Sequence, residues 1–284
     1  MTTPLALLTF HGMGRQEEAF DAPLRERLAR ELGGDVFARI AFEGVHYQPV
    51  IEPRQEGTWR AMRAAARLDW RELRRFVLFY LSDVATYQYR PGEAGSVYRA
   101  VHGRIREALA RLRTRVGAGE PGGAPVVAVA HSFGCAVLSD YLWDAQRGRG
   151  IFAGREVEPW ERMAGLRLLV TTGCNIPLFV AGLERIEAID PPGPEFAWWN
   201  LYDRDDPLGW PLRPLSTGFA NAYDRVVTGD VEVSVGLTPL GHSHYWEDRD
   251  VARFVAGKVV EVMGEGKTGD SLLIATNPAT GQPR

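Results

Sequence analysis

The chain has 284 residues, a formal net charge of −3, 45% hydrophobic and 24% charged residues. That profile suits a folded protein with a sizeable core, excludes disordered and collagen-like classes, and offers no electrostatic case for nucleic-acid binding. Its apolar runs fall short of the roughly 18 residues that cross a bilayer, and the opening MTTPLALLTFHGMG lacks the basic segment of a secretion signal, so a cytoplasmic protein is expected.

LALLTF (5–10) is a short apolar run ending at His-Gly, the signature of a buried strand. Residues 19–34 place Leu24, Leu28 and Leu32 at helical spacing and close on a Gly pair. Residues 36–47 read as a second strand. Residues 58–76 read as a helix with a strongly basic face, taken as solvated. The aromatic-rich 77–89 fits either helix or strand. A long amphipathic helix follows over 96–116, then a loop over 117–125. VVAVA (126–130) is a strand feeding directly into a helix over 134–146. Strands are expected at 166–173, 196–202 and 231–236, and a final helix at 250–263. The polar tail 264–284 carries no core pattern.

Strands alternating with helices predict an α/β fold, a doubly wound, mainly parallel sheet, as a single domain over 1–263. The stretch 47–95 is too long for an ordinary connection and reads as an insertion or lid elements over one end of the sheet. The two cysteines, Cys135 and Cys174, read as small buried hydrophobes in a reducing environment, and no C-x-x-C metal spacing is present.

In an open α/β sheet, ligands bind beyond the carboxyl ends of strands, so functional groups are sought just after strands. AHSFG (130–134) places Ser132 between a strand and a helix. Such a turn strains the serine backbone and tolerates only small residues two positions away, here Ala130 and Gly134; the usual first residue of that pattern is Gly. HGMG (11–14) follows the first buried strand, where the second half of an oxyanion hole belongs. The expected donors are the N–H groups of Met13 and Phe133, with His11, Gly12 and Gly14 shaping the loop.

A base is expected late in the chain. His102 reads as a helix-surface residue, His131 as a packing neighbour of the serine, and His46 has no assigned role. GHSHYW (241–246) remains, and spacing alone leaves both His242 and His244 open. For the acid, NLYDRDDPLGW (200–210) offers three aspartates. Asp206, before Pro207 beyond the strand end, is the choice; Asp203 reads as a strand terminator and Asp205 as solvated. Three acids without a wider ligand pattern do not make a cation site.

HGMG, AHSFG, the Asp-Pro and the late His-Ser-x-Tyr-Trp, in that order, resemble an α/β-hydrolase. With FYLSDVATYQY, TTGCNIPLF and NLYDRDDPLGWPL, the chain is similar to bacterial serine esterases and lipases distantly akin to the GPI-inositol-deacylase-like group, over roughly residues 5 to 263. The resemblance implies His242 as base, with His244 the alternative, and a cofactor-free, metal-free serine hydrolase acting on esters. Around 76–89, with Trp210 and Trp246, an apolar acyl pocket is expected. An acyltransferase or thioesterase would use the same triad; a non-catalytic binding module would have lost a member of it.

Overall fold

The computed structural model describes residues 4–14, 16–87, 93–117, 123–215, 222–236, 239–264, 276–277 and 282–283. Most of the polar tail, the centre of the 117–125 loop and the end of the aromatic stretch 77–89 lie outside the described residues.

Six strands form one all-parallel sheet: β1 (Leu5–Phe10), β2 (Ile40–Val45), β3 (Val126–His131), β4 (Leu166–Thr172), β5 (Ala197–Tyr202) and β6 (Gly229–Glu232), in the order β2-β1-β3-β4-β5-β6. The order reverses between β1 and β3, so the connections leaving these neighbours go to opposite sides and open a crevice between them.

Side chains alternate across the sheet, as strand geometry requires. Ala6, Leu8, Phe10, Val126, Ala128 and Ala130 join one apolar cluster; Leu5, Leu7, Val127 and Val129 join the other. Helices cover both faces. On the second cluster lie α1 (Ala22–Leu32), through Leu24 and Leu28, and the last helix (Arg249–Val262), through Val251, Val255 and Val259. Between α1 and β2 runs the one-turn α2 (Gly34–Phe37). The first cluster is covered by α3 (Gln48–Ala65), α5 (Val97–Val116) and α6 (Phe133–Arg147), with α4 (Arg71–Thr86) paired to α3 and a short α7 (Ile176–Val180) after β4; the last helix is therefore α8. Both cysteines are free and buried.

Three boundaries differ from the sequence expectation. The strand expected at 36–47 is β2 alone, because residues 34–37 coil into α2. The strand expected at 231–236 spans Gly229–Glu232, although Val233 N–H still donates to the Tyr202 carbonyl. The helix expected at 58–76 is two helices. α3 starts ten residues earlier than expected, at Gln48 with Pro49 in its first turn, and runs on through Pro53, because Ile51, Gln55 and Trp59 recur on one buried face. It stops at Ala65, and Trp70 sits in the left-handed region (φ 55°) before α4 begins. The ambiguous stretch 77–89 is helical through Thr86.

Candidate active site

The turn after β3 puts Ser132 at φ 52°, ψ −120°, a conformation that side-chain-bearing residues rarely adopt. The strain, of order 1–3 kcal/mol, is held by Ser132 N–H donating to the Thr172 carbonyl at 2.9 Å and by the immediate start of α6 at Phe133. Gly134 explains the small residue required here. A Cβ at that position would lie 2.6 Å from the His11 carbonyl oxygen and 2.7 Å from that of Phe10. Absence of a side chain therefore lets the head of α6 rest on the end of β1, bringing HGMG beside the serine.

The HGMG loop is fixed from several sides. His11 is fully buried; its Nε2 accepts from Tyr47 N–H at 3.2 Å, so the proton sits on Nδ1, which donates to the Gly12 carbonyl at 2.8 Å. Burial, opposed by that bond to Gly12, pushes its pKa down to about 3, and the ring stacks on Tyr47 at 3.8 Å as a neutral wedge. Tyr47 O–H donates to the His11 carbonyl. Gly14 N–H donates to Asp83 Oδ2 of α4 at 2.8 Å. Asp83 also accepts from Gln55 Nε2 of α3, so α3 and α4 together hold the loop; burial raises the Asp83 pKa to about 6 against these bonds. Among the described residues, the N–H groups of Met13 and Phe133 have no acceptor.

Opposite the serine stands His242, from the turn Pro239–Ser243 ahead of α8. Its Nε2 lies 2.7 Å from Ser132 Oγ and its Nδ1 2.8 Å from Asp206 Oδ2. With Nδ1–H donating to the carboxylate, Nε2 is left as the acceptor for the serine hydroxyl. Asp206 hangs beyond the end of β5, its side chain 1% exposed. Burial favours its neutral form, but His242, Leu208 N–H at 2.9 Å and Tyr245 O–H at 3.0 Å all donate to the carboxylate; together they outweigh burial and hold its pKa below the usual value.

The structure thus brings together Ser132, His242, Asp206 and the HGMG loop, and separates the two histidines that spacing left open. His244 is exposed, its backbone N–H bonded to the Gly241 carbonyl, and it meets neither Ser132 nor Asp206. His131 packs 4.9 Å from the His242 ring with Nδ1 near the Thr172 carbonyl (3.1 Å); burial, then the neighbouring His242, lowers its pKa to about 3. His46 Nε2 is 3.0 Å from the Gln16 carbonyl. Asp203 is buried beyond β5, accepting from Asp205 N–H and, at 2.7 Å, Val235 N–H; Asp205 is exposed.

His102 requires correction: it is fully buried, not on the helix surface. It lies on the same face of α5 as Tyr98, Ile105 and Leu109, with Tyr87 O–H 3.0 Å from its Nε2 and burial lowering its pKa to about 3. Trp210 also departs from expectation, being 43% exposed and outside the serine's cleft. Sequence reasoning missed Tyr245 and Asp83. Tyr245 accepts from Asp203 N–H at 2.8 Å while donating to Asp206, and so spans the loop that carries the acid.

The cleft over Ser132 has a volume of about 560 Å³. Met13, Leu208 and the packed rings of Phe20 and Trp246 line it, together with Glu72, Arg75 and Phe79 of α4. No family model and no curated protein sequence matches the chain.

Proposed function

We propose that this protein is a serine hydrolase that cleaves carboxylic esters and is built on an α/β-hydrolase type of fold. The reading rests on one observation above all: an unbroken hydrogen-bonded chain from Asp206 through His242 to Ser132, ending on a strained serine at the head of a helix. Ser132 Oγ attacks the ester carbonyl while His242 Nε2 takes its proton. Asp206 keeps the imidazole in the required tautomer and stabilises the imidazolium without accepting the proton. As the tetrahedral oxyanion forms, the Met13 and Phe133 N–H groups supply donors, assisted by the N-terminus of α6; a single such donor is worth about 3–4 kcal/mol of barrier. His242 then protonates the departing alcohol, and water, deprotonated by the same imidazole, releases the acid from the acyl-enzyme.

Apolar walls from Met13, Phe20, Phe79 and Trp246 favour an ester with a hydrophobic acyl group. The test is intact mass after exposure to a fluorophosphonate, followed by p-nitrophenyl esters of graded chain length. Wild type should gain one adduct and Ser132→Ala none, with turnover rising beyond acetate. A folded wild type that takes no adduct would refute the proposal.

A further inference from the structure

The α3–α4 hairpin is anchored at its base and bare at its tip. Ile51, Gln55 and Trp59 of α3, and Phe79 and Asp83 of α4, are buried. From residue 60 to residue 74, in contrast, every position is exposed except the half-buried Leu68. Solvent-facing polar residues would be the ordinary content of such a projection. Instead Met62, Trp70 and Leu73 are 52%, 78% and 56% exposed, and Val77 and Leu81 continue the outward stripe along α4. Met62, Trp70, Leu73 and Val77, with Trp59 and Leu78, line a groove of about 630 Å³ between the two helices. Trp70 holds this outward position in a left-handed backbone conformation, which for a bulky residue is an outlier.

The surrounding charge points to the occupant. Between residues 60 and 74, five arginines stand against Asp69 and Glu72, a local charge of +3 on a chain whose formal net charge is −3. A second copy of the chain, docking by the same face, would bring these like charges together. An anionic bilayer surface matches both features: arginines meet lipid phosphates while Trp70, Leu73 and Met62 enter the headgroup boundary. α4 is also continuous with the cleft. Leu73 and Val77 of α4, with Trp70 just ahead of it, line the groove, while Glu72, Arg75 and Phe79 line the space over Ser132. We infer that the tip of the α3–α4 hairpin docks this protein on anionic lipid surfaces, with the Ser132 cleft beside the point of contact. Docking itself does not depend on the hydrolase reading; that the substrate is a lipid-borne ester rests on it.

The full-length protein would be sedimented with phosphatidylglycerol vesicles and with phosphatidylcholine vesicles. Binding to the first, much weaker binding to the second, and loss with added salt are expected. Trp70→Ser with Leu73→Ser should lose binding, and each of Arg63→Ala and Arg67→Ala should weaken it about five-fold. Ser132→Ala should bind as wild type does. All hairpin variants should take the fluorophosphonate adduct in lipid-free buffer, so failure to dock and failure to react are read separately. Absent binding to phosphatidylglycerol, equal binding to both vesicles, or full binding by the tip variants would overturn the inference. So would a wild-type dimer that Trp70→Ser converts to monomer, which would assign the groove to a second copy.

Discussion

Replacing Gly134 with Ala tests whether the approach of α6 to β1 builds the site. The new Cβ would stand 2.6 Å from one carbonyl oxygen, 2.7 Å from another and 2.8 Å from the Phe10 Cβ. None of these is the far end of a flexible side chain, so relief must come from moving the helix head or the strand end by roughly half an ångström, an overpacking strain that typically costs about 1–3 kcal/mol. At about 2 kcal/mol, a chain of this size should melt roughly 3–4 °C lower. The displaced group is the N–H of Phe133 relative to that of Met13. Because misplacement by 1 Å can cost about 100-fold, half that shift should slow fluorophosphonate labelling about ten-fold. Thermal unfolding and labelling rate are measured on the same preparation. A Gly134→Ala protein with unchanged melting temperature and a labelling rate within about two-fold of wild type would refute the reasoning.

Gly12→Ala should separate the two effects: its Cβ meets only side chains, Ser132 Cβ at 3.0 Å and His131 Cδ2 at 3.2 Å, so labelling should fall about ten-fold or more while stability changes by under about 1 kcal/mol. His242→Ala should cut esterase turnover by about 1,000-fold or more and His244→Ala by less than about two-fold, read from steady-state kinetics; the reverse order would reassign the base. Asp83, raised to about 6 by burial, keeps a proton that the unfolded chain releases near pH 4, so the stability it contributes is complete below about pH 4 and is lost as the pH rises through about 6. Asp83→Asn removes that dependence, and the gap between the two proteins' unfolding free energies should change by up to about 3 kcal/mol between about pH 4 and pH 7; parallel urea curves would count against a buried titration there.

The sheet and the candidate triad were legible because each rests on a local signal. Unbroken apolar runs mark the parallel strands, and Ser132 follows one of them between residues that only a tight turn requires. Asp206 stood out by its place beyond β5 and before Pro207. The choice between His242 and His244 was not local: it depends on which imidazole the turn aims at a serine 110 residues away. Asp83 and Tyr245 were hidden for the same reason, since their partners lie 69 and 39 residues distant. The start of α3 was not legible either, because the buried contacts of Ile51, Gln55 and Trp59 carry the helix through Pro53 and back to Gln48. His102 could have been found, as Tyr98, His102, Ile105 and Leu109 follow helical spacing; its polarity masked its place in that pattern.

The bond from Gly14 to Asp83 bears on how the protein could be trimmed. A projecting hairpin invites excision in the search for a smaller, more soluble protein. Here a cut that removes α4 would take away the acceptor of a backbone N–H in the loop opposite Ser132, and one that removes α3 would strip Asp83 of Gln55. The shortened chain would keep its serine, histidine and aspartate and lose the brace on the loop that faces them. Modularity stops at the tip: residues 60–71 line no part of the Ser132 cleft, so changing them bears on docking alone, whereas the base of the hairpin belongs to the foundations of the site.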